Sequence, residues 1–537
     1  MARRIIYNDD GDGAARARQG HVQEDIEAWI DKPLGKIPID TYAWCIAYPD
    51  MVQYDSKVAE VYGQRFDKPH DRIGAAIAEL IERGTDVLEV VANHVHRRGL
   101  EFMASIRMDD THSFHPFPDG AYPVSQFLLD HPEYAITRCD GFPETALDYS
   151  YRPVREHRLA ILREIAEDYE VEGLELDFQR TGKFFARQEA PFKVDVMSDY
   201  VDQVRQILNE AAAKRGCDRL VLGVQVMGSL YLNHLAGLDP KAWVANDWLD
   251  YIIQCDFNCT DPQIPVAEFA DFCRGSRCTH HVRMGNMMGG RWDRKPYITG
   301  RKTAFKGCPG YCGMVLTPEE ARGAAANAYG FGADGIGLWN LCCNMGGEDF
   351  LNVTPFQQDI FDWANEVADP SNVWSRRRVY HFVPLYKSAH RMMRNYAVNE
   401  CRQSPDGQPG QIIVFWPLNE GYRVPFRFWM ADGKHGQSLE GTLRFRILQS
   451  TVEDKFAFDI NGQPIDTADI RLEAVNDNEL PYVWYEIDLA RCPPFAGHNE
   501  LGMTLLKLTS KRDDLGDTAM IYEIYPYMEQ LIITVEP

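Results

Sequence analysis

One short segment of the chain carries acidic side chains at a spacing that suits chemistry. The segment Val-Glu-Gly-Leu-Glu-Leu-Asp-Phe-Gln-Arg, which ends at Arg180, alternates apolar with polar side chains. Because successive side chains of a β-strand point to opposite faces, Glu175, Asp177 and Gln179 share the polar face. Burying carboxylates there is costly unless they are paired or used. Two interpretations stay open: a catalytic role, or an ion pair with Arg107 or Arg180.

A second segment supplies another carboxylate. The stretch Tyr-Ile-Ile-Gln-Cys-Asp-Phe-Asn, which ends at Asn258, places Gln254, Asp256 and Asn258 on one face. Two carboxylates that flank one bond suit glycoside hydrolysis, in which one acts as nucleophile or base and the other as acid. We predict Asp177 as nucleophile or general base and Asp256 as general acid, with a loop-capping role as the alternative for Asp256. Glu175, which lies deeper, is a third candidate catalytic carboxylate.

Other side chains near predicted strand ends suit the binding of a sugar. Arg107 is a candidate either for holding Asp177 ionised or for binding a substrate carboxylate. Aromatic rings at strand ends suit stacking against the apolar face of a sugar, and packing inside the protein is the alternative. The further polar candidates are Asp109, His112, Gln179, Gln225 and Asn258, and the aromatic candidates are Trp44, Trp292 and Trp339.

The elements that must position these residues follow from the pattern of the first two thirds of the chain. Short apolar runs alternate there with amphipathic helical stretches, which indicates parallel strands joined by helices. Eight such strands predict a (β/α)8 (TIM) barrel, whose chemistry lies at the carboxyl ends of the strands. An open doubly wound sheet is the alternative, but no Gly-x-Gly-x-x-Gly follows the first strand. The predicted strands are Arg4–Asn8, Ile39–Ala47, Glu101–Met108, Gly173–Phe178, Leu220–Met227, Tyr251–Phe257, His281–Met287 and Gly335–Asn340.

The pattern changes near Asp369-Pro370. Beyond it, helical periodicity mostly stops, and strand-like runs alternate with Gly, Pro, Asn and Asp. This predicts a barrel domain at 1–369 and a β-sandwich domain at 370–537. The segments Phe456–Ile465, Trp484–Leu489 and Gly497–Leu501 resemble the jelly-roll accessory domains that are attached to many carbohydrate enzymes.

Two resemblances concern the barrel. The run Glu172-Gly-Leu-Glu-Leu-Asp-Phe-Gln179 resembles the fourth-strand motif of chitinase-type family 18 glycosidases, Asp-Gly-x-Asp-x-Asp-x-Glu, which ends on the catalytic acid. Gln179 stands at that position, and an amide cannot donate a proton as a general acid. The order of a Leu147-Asp-Tyr149 entry, a helix and a Gly173-x-Glu-x-Asp177 strand also resembles glycosyl-hydrolase-like barrel proteins of environmental bacteria. The resemblance implies sugar chemistry without naming one activity.

Composition limits the classes of partner. Of 537 residues, 56 are Lys or Arg and 79 are Asp or Glu, so the formal net charge is −23. Such a chain repels phosphate on average, so we expect neither nucleic acid nor a membrane surface as a partner; an anionic substrate needs a local basic pocket. The 13 cysteines form no disulfide framework, and no secretory signal is visible at the start. We therefore expect a cytoplasmic protein.

Three hypotheses about function remain. The first is a glycoside hydrolase acting on a carbohydrate, and the second is a non-catalytic carbohydrate-binding barrel protein, suggested by Gln179. The third is a metal-dependent hydrolase or lyase that uses Asp9, Asp10, Asp109 and His112, since oxygen ligands suit hard cations. Their spacing does not fit the twelve-residue calcium loop, so we predict no metal and no cofactor. The sequence leaves the sugar, the linkage and the oligomeric state open.

Overall fold

The structure is a computed structural model. It describes residues 4–48, 50–65, 72–110, 124–137, 141, 143–180, 182–255, 260–290, 313–341, 355–382, 418–433, 439–475, 481–509 and 526–537. Within those ranges no helix combines the length and the apolar character that crossing a bilayer requires.

Eight parallel strands close into a barrel, which confirms the predicted (β/α)8 fold. The barrel strands are β1 (Ile5–Asp9), β2 (Thr41–Tyr48), β3 (Glu101–Arg107), β4 (Gly173–Asp177), β5 (Val221–Met227), β6 (Tyr251–Cys255), β7 (Thr279–Met284) and β8 (Gly335–Trp339). Each strand overlaps its predicted position. Because β1 pairs with both β2 and β8, the barrel is closed and the open doubly wound alternative is wrong.

Helices cover the outside of the barrel because their apolar faces need a partner layer. The principal helices are Val22–Leu34, Arg72–Glu82, Val87–Arg97, Arg152–Asp168, Val194–Arg215, Val266–Cys273, Pro318–Gly330 and Pro355–Val367. Shorter ones are Asp12–Arg16, Gln126–Asp130, Leu230–Leu235, Pro240–Ala245 and Pro370–Trp374. Short strands in the connecting segments are Met51–Val52, Glu60–Val61, Ala135–Thr137, Pro143–Leu147, Met287–Gly290 and Gly313–Val315.

Alternation along the strands divides the barrel into an inside and an outside. The large apolar cluster fills the layer between strands and helices. A small separate cluster lies inside the barrel, and its buried members are Ile6, Ala43, Met103, Tyr251, Ile253 and Cys255. The polar side chains that share this inner face are therefore held in a narrow, almost dry space.

The C-terminal region forms two antiparallel sheets packed face to face, as the predicted β-sandwich requires. The rings of Phe445 and Phe458, from opposite sheets, lie 4.8 Å apart between centroids, and Tyr485 stacks on Phe445 at 5.2 Å. The strands are β9 (Arg378–Phe382), β10 (Arg423–Met430), β11 (Gly441–Leu448), β12 (Lys455–Ile460), β13 (Gln463–Pro464), β14 (Ile470–Val475), β15 (Tyr482–Asp488), β16 (Gly497–Lys507) and β17 (Tyr527–Val535). One sheet has the order β9–β17–β11–β15–β14 and the other β10–β16–β12–β13.

One barrel helix, Pro318–Gly330, joins the two parts. It begins at Thr317, which together with Glu320 forms a capping box. Gly323 lets the helix approach strand β9, because a Cβ atom there would lie 2.1 Å from the carbonyl oxygen of Val379. The Asn327 amide donates to a sandwich carbonyl and accepts a sandwich N–H. The predicted boundary at 369/370 precedes the helix Pro370–Trp374, and it stays a prediction.

Candidate active site at the carboxyl ends of the barrel strands

Polar residues from several strands meet at one end of the barrel. Arg107 is the last residue of β3, Asp177 the last of β4 and Trp339 the last of β8. Arg283 lies one residue before the end of β7, and Asp10 directly follows β1. All five side chains are buried. In a barrel of parallel strands these carboxyl ends lie at one mouth, where the βα loops begin.

Glu175 is the polar centre of the barrel interior. Its Oε1 accepts hydrogen bonds from Asn8 Nδ2 at 2.6 Å, Ser105 Oγ at 2.8 Å and Gln225 Nε2 at 2.8 Å. Its Oε2 accepts one from the Tyr251 hydroxyl at 2.8 Å. Burial raises the pKa of Glu175, and the donors of Tyr251 and Ser105 oppose that rise. The predicted sugar-binding residue Gln225 is thus engaged by Glu175, and the carboxylate ties five strands together.

Asp177 is held differently. Its Oδ1 accepts the backbone N–H of Gln179 at 2.8 Å, and within the described ranges no donor reaches its Oδ2. Burial raises the pKa of Asp177, while the charges of Arg283 and Arg107 and the N–H of Gln179 favour the ionised form. The amide oxygen of Gln179 is itself buried and accepts no hydrogen bond from the part of the chain that the structure describes. Asp177 and Gln179 therefore both present unsatisfied oxygen atoms close to the mouth.

Arg107 and Arg180, the predicted ion-pair partners of Asp177, pair with Asp10 instead. Arg107 binds Asp10 Oδ1 at 2.8 Å and Asp110 Oδ2 at 2.6 Å, while Arg180 approaches Asp10 Oδ2 at 3.3 Å. Asn340 Nδ2 donates to the same oxygen at 2.9 Å. Burial alone would raise the pKa of Asp10, but the two guanidinium charges hold it at about 2. Asp10 is therefore an ionised structural partner.

The acidic residues of the metal hypothesis do not converge. Asp9 points into the layer between the barrel and the helices, where Trp29 Nε1 donates to it at 2.9 Å and the Tyr42 hydroxyl at 3.0 Å. Asp109 accepts the backbone N–H of Lys183 at 2.9 Å. Among the described residues no group of three or more His, Cys, Asp or Glu side chains is arranged to hold a metal ion.

The two described tryptophans of the predicted set differ in position. Trp339 lies at the mouth, with the guanidinium carbon of Arg283 4.3 Å and that of Arg180 5.9 Å from its ring centroid. Trp44 lies in the apolar layer between strands and helices and is fully buried. A Cβ atom on Gly13 would lie 2.8 Å from its ring, so the helix Asp12–Arg16 covers it. Trp44 therefore offers no face to a sugar in this structure.

Arg283 is the site residue that sequence reasoning missed. It stands in the run Thr-His-His-Val-Arg-Met, where neighbouring histidines obscure the alternation of a buried strand. The available signal was a charged residue two positions after His281, near the end of an otherwise buried strand. Four predicted residues lie outside the described ranges, so nothing is known of their position: Asp256, Asn258, His112 and Trp292.

Strand β6 ends at Cys255, immediately before Asp256. Cys255 belongs to the cluster inside the barrel, whereas Gln254, which was predicted to share a face with Asp256, donates to the carbonyl oxygens of Gly228 and Pro265 outside the barrel wall. The prediction that the Gln254 face of β6 points into the barrel is therefore wrong.

No protein-family model matches the sequence, and no curated protein matches it. Solved structures that it is similar to are glycoside hydrolases. The glycoside hydrolase domain of PgaB (BpsB) from Bordetella bronchiseptica is 12% identical, with a TM-score of 0.40 over 68% of this chain and 99% of that one. A family GH18 chitinase from Cycas revoluta, in complex with allosamidin, is 13% identical, with a TM-score of 0.38 over 69% and 99%.

A third similar structure extends over the whole chain. The GH36 α-galactosidase AgaA from Geobacillus stearothermophilus, in complex with stachyose, is 10% identical, with a TM-score of 0.36. The match covers 100% of this chain and 56% of that one. At such identities and scores, these similarities say nothing about the chemistry of the site.

Proposed function

We propose that the protein is a glycoside hydrolase and that Asp177 is its nucleophile or general base. The observation that supports this is the contrast among the buried carboxylates at the barrel mouth. Asp10 is held by two arginines and an amide, and Glu175 by four donors. Asp177 keeps one oxygen that accepts no hydrogen bond within the described ranges. That oxygen is available to attack an anomeric carbon or to activate a water molecule.

The environment of Asp177 suits a carboxylate that acts as a base. Burial strips water from it, which makes the group a stronger base, and the nearby charges of Arg283 and Arg107 limit the rise of its pKa. A base of this kind works best when its pKa lies close to the operating pH.

The proposed general acid is Asp256, which directly follows β6. Asp10 does not suit that role, because a carboxyl group with a pKa of about 2 carries no proton to donate near neutral pH. The separation of the Asp177 and Asp256 carboxyl groups predicts the stereochemistry. About 5–5.5 Å means retention of the anomeric configuration, and about 6.5–9.5 Å means inversion.

The test is hydrolysis of a panel of glycans and aryl glycosides by the wild-type protein and by Asp177→Asn. The proposal expects product from at least one substrate and a loss of turnover of about a thousandfold or more in the variant, since the reacting group is removed. Asp271→Asn is a matched control, because that side chain is 67% exposed and forms a surface ion pair with Arg274. An Asp177→Asn protein with wild-type turnover contradicts the proposal.

A second candidate function is carbohydrate binding without catalysis, and one observation favours it. Gln179 stands where the chitinase-type motif has its acid, and its buried amide oxygen is free to accept a hydrogen bond from a sugar hydroxyl. This function predicts binding in calorimetry with no product from any glycan that binds. It further predicts that Gln179→Glu, which adds a proton donor, creates turnover that the wild type lacks.

A further inference from the structure

Arg283 is a buried cation with an unusual set of neighbours. It lies on β7 at the barrel mouth and is 3% exposed. Its guanidinium is stacked over the ring of Trp339 at 4.3 Å, and the thiol of Cys255 on the adjacent strand lies beside it. Its Nε atom has no hydrogen-bond partner within the described ranges.

The other arginines of the mouth are neutralised by ion pairs. Arg107 is bound by Asp10 and Asp110, and Arg180 by Asp10. Arg283 forms no ion pair with any carboxylate in the part of the chain that the structure describes. It acts on Asp177 only through space, as an opposing charge without contact.

Burying a guanidinium that has no ion pair costs free energy of folding. Arginine keeps its charge at every relevant pH, so it cannot escape the cost of burial by losing a proton. A buried charge is normally compensated by an ion pair with matching hydrogen bonds. Stacking on Trp339 supplies part of that compensation through the face of the ring, but leaves the in-plane N–H donors of the guanidinium without a carboxylate.

The geometry of these donors matches one ligand chemistry. A guanidinium presents parallel N–H groups that fit the two oxygens of a carboxylate or the oxygens of a sulfate ester. The net charge of −23 disfavours anions elsewhere on the protein, so binding of an anion requires a local cation of this kind.

We propose that the substrate of this site is an anionic saccharide, a sugar that carries a carboxylate or a sulfate group, and that Arg283 binds that anionic group. The inference rests on the proposed function and names its substrate class. Trp339 holds the guanidinium in place from one side. The anionic group of the sugar lies on the Arg283 side of the mouth, away from Asp177, because two like charges in a dry site repel each other strongly.

The test compares glycans in matched pairs with the wild-type protein in isothermal titration calorimetry. Oligogalacturonate and alginate oligosaccharides are paired with their carboxyl-reduced forms, and sulfated chondroitin and carrageenan oligosaccharides with their desulfated forms. Product formation is followed in the same samples. We expect one charged member to bind about ten to one hundred times more tightly than its neutral partner, the gain typical of hydrogen bonds to a charged group. The pair that shows this gain distinguishes carboxylate from sulfate.

Variants of Arg283 assign the preference to this residue. Arg283→Gln removes the charge and is expected to abolish the preference for the charged member over its neutral partner. Arg283→Lys keeps a positive charge and retains a reduced preference. Arg274→Gln is the control, because that side chain is 74% exposed and lies in a surface pair. Thermal melting verifies that each variant is folded.

Two results overturn the inference: charged and neutral members that bind the wild type equally in every pair, or a folded Arg283→Gln protein with an undiminished preference. The first needs no variant, so poor folding of Arg283→Gln leaves the test intact. Failure of the proposed function looks different. A charge preference without product contradicts the hydrolase proposal and supports the role of Arg283. Hydrolysis of neutral glycans without a charge preference supports the hydrolase proposal and contradicts the role of Arg283.

Discussion

Arg107 and Asp177 are register partners at the ends of neighbouring barrel strands, yet the guanidinium of Arg107 is bound to Asp10 at 2.8 Å and forms no ion pair with Asp177. Arg107, which could have neutralised Asp177, is thus paired with Asp10, the residue that directly follows β1. The two acidic residues of the mouth therefore differ: Asp10 is held by ion pairs, whereas Asp177 Oδ2 accepts no hydrogen bond from the residues that the structure describes.

Glu175 and Asp177 should differ sharply in their contribution to stability. Glu175→Gln replaces an acceptor by an NH2 group that faces the donors of neighbouring strands, so we expect a loss of about 2–3 kcal/mol in the free energy of unfolding. In Asp177→Asn the amide oxygen still accepts the N–H of Gln179, so the free energy of unfolding should change by no more than about 1 kcal/mol. Urea unfolding of both variants measures the difference, and equal losses would mean that Asp177 is also a structural residue.

Arg107→Met should be strongly destabilising. The substitution leaves Asp10 and Asp110 buried without their shared cation, and breaking a buried pair in this way costs about 3–5 kcal/mol. The double variant Arg107→Met/Asp110→Asn should recover part of the loss, because it removes one uncompensated charge. Denaturant titration of the single and double variants gives the coupling free energy. If the losses in unfolding free energy of Arg107→Met and Asp110→Asn add up to that of the double variant, Arg107 and Asp110 are not coupled.

Asp9 should make the protein less stable as the pH rises. Burial raises its pKa from 3.8 to about 7 in the folded state, against the N–H of Gly11 and the donors of Trp29 and Tyr42. The folded protein therefore binds a proton that the unfolded chain releases. Stability from this group is complete below about pH 4 and is lost between about pH 4 and pH 7, by up to about 1.4 kcal/mol per pH unit.

The Asp9→Asn variant isolates this effect from other titrating groups. Its amide stays neutral, so the unfolding free energy of the wild type minus that of the variant should fall from about pH 4 to pH 7 and then stay constant. Urea unfolding at several pH values measures that difference. A pH-independent difference would show that the pKa of Asp9 is the same in the folded and unfolded states.

Gly323 should be essential for the contact between the barrel and the sandwich. An added Cβ atom would lie 2.1 Å from the Val379 carbonyl oxygen, a distance that backbone atoms cannot accept without moving. We expect Gly323→Ala to cost about 2 kcal/mol or more through overpacking. Gly35→Ala is the matched control, since the nearest atom to its added Cβ is 3.7 Å away. Calorimetric melting compares the two, and an unchanged melting temperature for Gly323→Ala would contradict the close packing.

The sequence by itself determined the architecture, because the hydrophobic patterns that predict strands and helices depend on residues close together along the chain. Short apolar runs between amphipathic helical stretches identified the eight barrel strands, and alternation with a period of two assigned Glu175 and Asp177 to one face of β4. Such patterns depend only on neighbours along the chain. Within β2 they also carried unused information: Trp44 follows the inward-facing Ala43, so alternation places its ring outside the barrel wall.

Only the tertiary structure decided which polar groups are partners. The bond between Asn8 and Glu175 joins residues 167 positions apart, and the bond between Asp10 and Asn340 joins residues 330 apart. By charge alone, Arg107 could pair with either Asp10 or Asp177. Closure of the barrel brings β1 against β2, which lies next to β3, and Arg107 pairs with Asp10. The exposure of a carboxylate to chemistry depends on such distant competitors. Spacing along the chain therefore indicated Asp177 as a candidate, whereas only the tertiary structure showed that its Oδ2 accepts no hydrogen bond from the described residues.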